Sequence, residues 1–205
     1  MDTVNTKRTY SSPLREQQAE QTRERILEAM AEVLEDENLQ EVTFAAVAKA
    51  AQVSERTVYR HFPTKEDLQT AFYWWVNKQI GMGQYPQNPE ELVAMPPVVF
   101  EGFDRYEQMV RAHMRSHAGE ELREKQVQGR QQAYRKMLGE VLEGLPQKVQ
   151  LQGYAVLQLL FSPRAWESMK ENWGLSGKQA GQASSWAITV LLKDLARIKA
   201  EGQGK

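Results

Sequence analysis

The first sustained hydrophobic period in the chain begins near Ala19. Thr22, Ile26, Ala29, Met30 and Val33 recur at helical spacing while Glu20, Glu24, Glu28 and Glu32 fall on another face, which predicts an amphipathic helix ending near Asn38. Thr43 then precedes an alanine-rich run, Phe44 to Ala51, whose length suits a two-turn helix with Thr43 as N-cap. After a break at Gln52-Val53, Ser54 is placed to cap a helix from Glu55 to His61. That helix stops at Phe62-Pro63, because the residue before a proline is pushed out of the helical region. Thr64, with the acid Asp67 three residues later, starts a fourth helix in a pattern close to a capping box. Its apolar face is Leu68, Ala71, Phe72, Trp75 and Val76, and it breaks at Gly81-Met82-Gly83, Pro86 and Pro89.

The rest of the chain keeps helical patterning, interrupted at Pro96-Pro97, near Gly119, at Gly144-Leu145-Pro146, at Ser162-Pro163 and at Gly174. No alternating, β-branched segment bounded by turns occurs, and there is no internal repeat or low-complexity tract. The expected fold is all-α, with an N-terminal three-helix helix-turn-helix unit and a larger C-terminal helical domain. Residues 1–18 mix Thr, Ser and Pro13 with Lys7, Arg8 and Arg15 and have no apolar period, so they read as a flexible arm. The small domain is then 19–76 and the larger one 77–205, with the boundary inside the fourth helix and a frayed end from Glu201 to Lys205.

Composition narrows the function. Of 205 residues, 41% are hydrophobic and 26% charged, which describes a folded globular chain. No apolar run is long enough for a membrane span, and Met1 to Val4 lacks the charged and apolar regions of a signal peptide, so a cytoplasmic location is expected. The absence of cysteine excludes disulfides, thiolate metal sites and cysteine nucleophiles. A net charge of −1 means that any nucleic-acid contact must come from a locally basic surface.

Short helices joined by a three- or four-residue turn are the ingredients of a helix-turn-helix, whose second member enters the major groove. Glu55 to His61 is the candidate reading helix: Arg56 and Arg60 offer guanidinium forks, and Ser54, Thr57, Tyr59 and His61 offer hydrogen-bonding groups. Spacing alone leaves a purely structural role open beside DNA binding. The sequence itself is more specific. Val53-Ser54, Thr57-Val58-Tyr59, His61-Phe62 and Lys65-Glu66-Asp67-Leu68 occur in that order, with Arg25-Ile26-Leu27-Glu28-Ala29 ahead of them. Over about Thr22 to Val76 this closely resembles the DNA-binding domain of the tetracycline-repressor (TetR) family.

The resemblance implies phosphate contacts from Thr43, Ser54, Tyr59, His61 and Lys65, base contacts from Glu55, Arg56 and Thr57, and either kind from Arg60. Lys65, at the start of a helix, would join its ammonium to the helix amides on a phosphate. Val47, Ala48, Val58 and Phe62 are expected in the core. The chain departs from the family at Gln52, where glycine is usual in the turn, and near Asn38; asparagine tolerates positive φ, glutamine does so at a cost. Lys7, Arg8 and Arg15 are weighed as a minor-groove arm against a solvated tail.

In the larger half the resemblance implies a ligand-binding domain and a dimer interface from the last helices. The last helix presents Ala180, Ala183, Ser184, Ala187, Val190, Leu191 and Asp194 on one face, with small residues that permit close approach. Val149 to Phe161, including Tyr154, Leu157 and Phe161, is the expected partner in a four-helix interface, with packing inside one subunit as the alternative. Phe103, Tyr106, Met109, His113, Tyr134, Met137 and Trp166 are candidate ligand contacts, drawn from a wider supply of aromatic and methionine residues suited to an apolar pocket.

His113 and His117 lie four apart with Glu120 and Glu121 nearby, but no His-Glu-x-x-His motif is present and no metal is assigned. No nucleophile elbow, phosphate-binding glycine loop or dinucleotide fingerprint occurs, so no enzyme activity is expected. The expected protein is a homodimeric transcriptional regulator, a repressor of a palindromic double-stranded DNA operator relieved by a small-molecule effector, with no cofactor and no membrane partner. The rivals are a DNA-binding adaptor without a pocket and a helical enzyme that carries a helix-turn-helix.

Overall fold

The structure is a computed structural model that describes residues 13–35, 42–115, 120 and 123–203. Among these residues the regular structure is helical throughout. The first helix, α1 (Pro13–Glu35), buries Ile26, Leu27, Ala29, Met30, Val33 and Leu34. It begins earlier than the apolar period suggests: residues 13–18, read from sequence as part of an arm, are helical, and residues 13–21 are all exposed. Leu14 to Gln21 consists of good helix formers, and extending an established helix is far easier than nucleating one, so this stretch needs no apolar face. Arg15 therefore lies on α1, while Lys7, Arg8 and Asn38 fall outside the described residues.

Three further helices complete the small unit, α2 (Phe44–Ala50), α3 (Glu55–His61) and α4 (Lys65–Gln79). Each starts on the predicted cap. Thr43 accepts from the Ala46 amide and Ser54 from the Thr57 amide, and Thr64 and Asp67 make the reciprocal capping box. Such caps stabilise a helix by about 1 kcal/mol each. Val47, Ala48, Val58, Phe62, Leu68 and Phe72 close one core with the apolar face of α1.

The larger unit follows as α5 (Pro89–Ala94), α6 (Pro96–Arg105), α7 (Glu107–Arg115), α8 (Val127–Leu142), α9 (Gln147–Leu160), α10 (Pro163–Trp173) and α11 (Gly177–Gln203). Prolines open α5, α6 and α10, where the missing N–H is no loss, and α10 ends on Gly174 in the left-handed region at φ 66°. The break at Tyr106 between α6 and α7 has no glycine or proline to announce it.

The most extensive helix pairing is that of α6 with α11. It depends on small residues: a Cβ on Gly181 would lie 2.4 Å from Pro97 Cα, and Ala180 and Ser184 are fully buried. The small-residue face expected at a dimer interface thus packs inside the subunit at Ala180 and Ser184. Asp104 fixes the start of α11 by accepting from the Gly177 amide at 2.6 Å, Trp166 Nε1 at 2.9 Å and Lys170 Nζ at 2.9 Å. Burial alone would raise the Asp104 pKa, but these three donors hold it below the ordinary value.

Two cores fill this unit. One gathers Leu92, Tyr134, Leu138, Leu142, Leu157 and Ile188; the other gathers Ile80, Val99, Phe100, Phe103, Val110 and Trp166. The helix α4 bridges the small and large units, since Phe72 belongs to the first core while Ile80, directly after the helix, belongs to the last. A further tie runs from Lys125 Nζ to Gln69 Oε1 of α4 at 2.6 Å, and α1 also touches α7. No helix of the described residues is long and apolar enough to cross a membrane.

Candidate nucleic-acid interface and the cavity behind it

On α3 the side chains sort by depth. Val58 is fully buried and anchors the helix, while Glu55, Arg56, Tyr59 and Arg60 are exposed. Tyr59 stands edge-on to Phe44 with ring centroids 4.4 Å apart, which fixes α3 against α2 while leaving the tyrosine half-exposed. The Ser54 and Thr57 hydroxyls lie 2.9 Å apart, so both are organised by the cap. Thr43 sits exposed at the start of α2, and Lys65 is half-buried at the start of α4. Hydroxyls and an ammonium of this kind can bond phosphates, and the exposed guanidinium groups of α3 have the fork geometry that base edges accept.

His61 sits differently from the rest. It is half-buried with Nε2 enclosed and lacking a hydrogen-bond partner, and burial, Arg60 and Arg23 lower its pKa. Its enclosed ring nitrogen sets it apart from the exposed side chains of α3. Arg23, which the sequence did not single out, lies with its guanidinium 5.1 Å from the centre of the Phe62 ring.

The turn between α2 and α3 carries the expected irregularity. Gln52 adopts φ 54°, the one positive φ among the described non-glycine residues. The Val53 amide donates to the Ala48 carbonyl at 3.0 Å, and the Gln52 amide to Lys49 at 3.2 Å, so the turn closes the carbonyl end of α2 although it lacks glycine.

Behind α4 lies a cavity of about 580 Å³. Its walls come from α4 (Phe72, Tyr73, Val76, Asn77), α6 (Val99, Phe103), α7 (Val110, His113, Met114), α8 (Arg130, Gln131, Tyr134, Arg135) and the α9–α10 corner, with Met82 and Tyr85 from the loop after α4. This is within the usual range for a small-molecule site, about 300–1,000 Å³. Of the seven candidate ligand contacts, Phe103, His113 and Tyr134 line it. The other four do not. Trp166 is fully enclosed and bonded to Asp104, Met137 and Met109 are buried in packing, and Tyr106 turns its hydroxyl 3.4 Å from Gln79. Each is large enough to be required for filling a core, which is why residue type alone could not separate lining from packing.

Polar groups on the wall are unusually under-used. His113 Nδ1, Asn77 Nδ2 and Arg130 Nε are buried without a hydrogen-bond partner. Burial, with Arg123 and Arg130 beside it, lowers the His113 pKa to about 4. The Tyr73 and Tyr85 hydroxyls lie 2.5 Å apart, and burial raises the Tyr85 pKa well above the usual range. His117 and Glu121 are outside the described residues, and among those described no three His, Asp or Glu side chains gather as a metal group.

The residues nominated for a dimer interface separate similarly. Leu157 is fully buried in the subunit as a core residue, and Tyr154 of α9 and Phe161 just after it stand on the cavity wall, so all three face inward. On α11, Leu191 packs partly into the core, while Ala183 and Ala187 are half-exposed and Val190 and Asp194 exposed. Trp186, which the sequence reading did not single out, is 72% exposed on the outer side of α11.

A family model described as bacterial regulatory proteins of the tetR family matches residues 26–72. No curated protein matches the chain. Among solved structures, a TetR-family transcriptional regulator from Streptomyces coelicolor is 19% identical over 90% of this chain and 86% of that one, with a TM-score of 0.51, a likeness of fold. A TetR transcriptional regulator from Rhodococcus sp. RHA1 is 24% identical over 86% of this chain and 97% of that one, with a TM-score of 0.47. Residues 26–72, from the apolar face of α1 to Phe72 of α4, thus match the tetR family of bacterial regulatory proteins, and the helix-turn-helix formed by α2 and α3 lies inside that match.

Proposed function

We propose that this protein is a homodimeric repressor that occupies a palindromic operator and leaves it when a small molecule fills the cavity behind α4. The observation that carries this reading is the reach of α4. It begins at the Thr64–Asp67 capping box directly after α3 and ends with Phe72, Tyr73, Val76 and Asn77 on the cavity wall. An occupant that moves this helix moves the reading head with it. By linkage, a ligand that favours a dimer with misplaced heads must itself be bound less tightly by the DNA-bound form. The cavity also speaks against an adaptor whose larger domain merely packs solid.

Two copies of α3 would enter successive major grooves about one helical turn apart. Exposed Trp186 and Val190, with half-exposed Ala183 and Ala187, make the outer face of α11 the best-suited dimer surface. We assign residues 19–76 to DNA binding and 77–205 to regulation, with α4 shared, and place the protein's work at cytoplasmic DNA. Docking is tested by two variants measured across a salt series. Arg56→Ala should cost about 1–3 kcal/mol and relax base preference at one position of each half-site. Lys65→Ala should weaken all sequences alike and reduce the salt slope by about 1. If neither changes DNA binding, α3 is not the reading helix.

A further inference from the structure

The cavity has a sign. Arg130 of α8, Arg164 of α10 and Arg123 all stand on its wall, and among the described residues no aspartate or glutamate does. Arg130 keeps Nε buried without a hydrogen-bond partner. Arg123 donates to the His113 carbonyl; burial and the charges of Arg164 and Arg130 hold its pKa below the ordinary guanidinium value, although Glu120 and Glu124 pull the other way. Arg135 is also on the wall but is engaged with Tyr154, its guanidinium 5.2 Å from the ring centre.

Like charges held beside apolar surface repel more strongly than in water, and a bound anion converts that repulsion into attraction. Much of the remaining wall is apolar, with Phe72, Val76 and Phe103 facing the same space as uncharged polar groups such as Asn77 and Gln131. His113 lies among the arginines and, with a pKa of about 4, stays neutral near pH 7, so it offers a hydrogen bond without adding to the positive charge.

We propose that the effector is an apolar molecule with one anionic head group, a carboxylate or a phosphate ester, its head against Arg123, Arg130 and Arg164 and its body against α4 and α6. This rests on the cavity being the effector site and specifies the chemistry that site accepts.

Calorimetric titration of the full chain with four matched linear probes tests it: decanoate, decyl phosphate, decanol and decylamine. At least one anion should bind roughly tenfold or more tightly than decanol, with decylamine weakest. Whichever anion binds better identifies the head group. Arg130→Gln should abolish the preference while leaving decanol binding in place, which also reports that the variant is folded; Arg164→Gln is the second variant, expected to act in the same direction. Decanol binding as tightly as both anions, decylamine binding tightest, or no anion binding at the highest soluble concentration would each overturn the proposal. Release of selected operator DNA separates this inference from the one beneath it. An anion that binds without loosening DNA upholds the ligand class and overturns the effector reading. A neutral probe that binds preferentially and releases DNA does the reverse.

Discussion

Gln52 holds the turn of the helix-turn-helix at φ 54°, where a side chain with a Cβ is disfavoured by about 1–2 kcal/mol. Its side chain is exposed, so nothing in the packing requires glutamine there. Gln52→Gly should therefore raise stability by about 1 kcal/mol, after part of the gain is lost to the freer unfolded chain, and a shift of the urea midpoint to higher concentration would show it. The strain was legible in the sequence, because the family pattern has glycine at this position.

His113 makes a second residue-scale prediction. Its folded pKa lies below the ordinary 6.5, so the unfolded chain takes up the proton first and stability falls as pH drops from about 6.5 toward 4. His61, also lowered, contributes in the same direction. Asp104 and Glu107, both held below their ordinary carboxylate values, lose stability only at lower pH. Urea midpoints taken between pH 7 and 5 should decline in the native chain and decline less in His113→Asn; equal slopes would mean that His113 protonates freely when folded.

At the scale of elements, the α6–α11 contact admits no added bulk. Gly181→Ala would set a Cβ 2.4 Å from Pro97 Cα and 2.5 Å from the Pro96 carbonyl oxygen, both backbone atoms that cannot step aside. A loss of about 1–3 kcal/mol is expected, and Gly139→Ala within α8, with nothing inside 4 Å of its Cβ, should instead gain about 0.5–1 kcal/mol. Thermal unfolding of the pair would distinguish them by sign. Several helix boundaries were readable because they depend on local chemistry: Thr43, Ser54 and Thr64 cap the helices the sequence assigned to them, and the breaks read at Pro89, Pro96, Pro163 and Gly174 fall at helix ends, whereas α1 starts earlier than its apolar period. What each helix faces was less readable. The small residues of α11 permit a close approach without saying to which helix, and Leu157, Tyr154 and Phe161 share an apolar stripe that fits an inner core as well as a dimer seam. Tyr106 ends α6 without any breaker in the sequence.

For the whole molecule, α4 follows α3 directly and forms one wall of the cavity, and the two regions were unequally visible in the sequence. The candidate DNA contacts Glu55, Arg56, Tyr59 and Arg60 lie on a single short helix, so a local pattern was enough to nominate them. Arg123, Arg130 and Arg164 come from separate segments and converge only in the folded chain, which is why their shared charge escaped the sequence. The central claim is that two such heads read DNA together. Its most direct test is selection of bound sequences from random duplex DNA by the purified protein at two salt concentrations, with Trp186→Arg as a second arm. The account predicts a near-palindromic motif for the native chain, with half-sites about one helical turn apart, and loss of the paired motif when the exposed tryptophan of α11 becomes charged. Enrichment of no sequence at either salt, or of an unpaired site by the native chain, would contradict it.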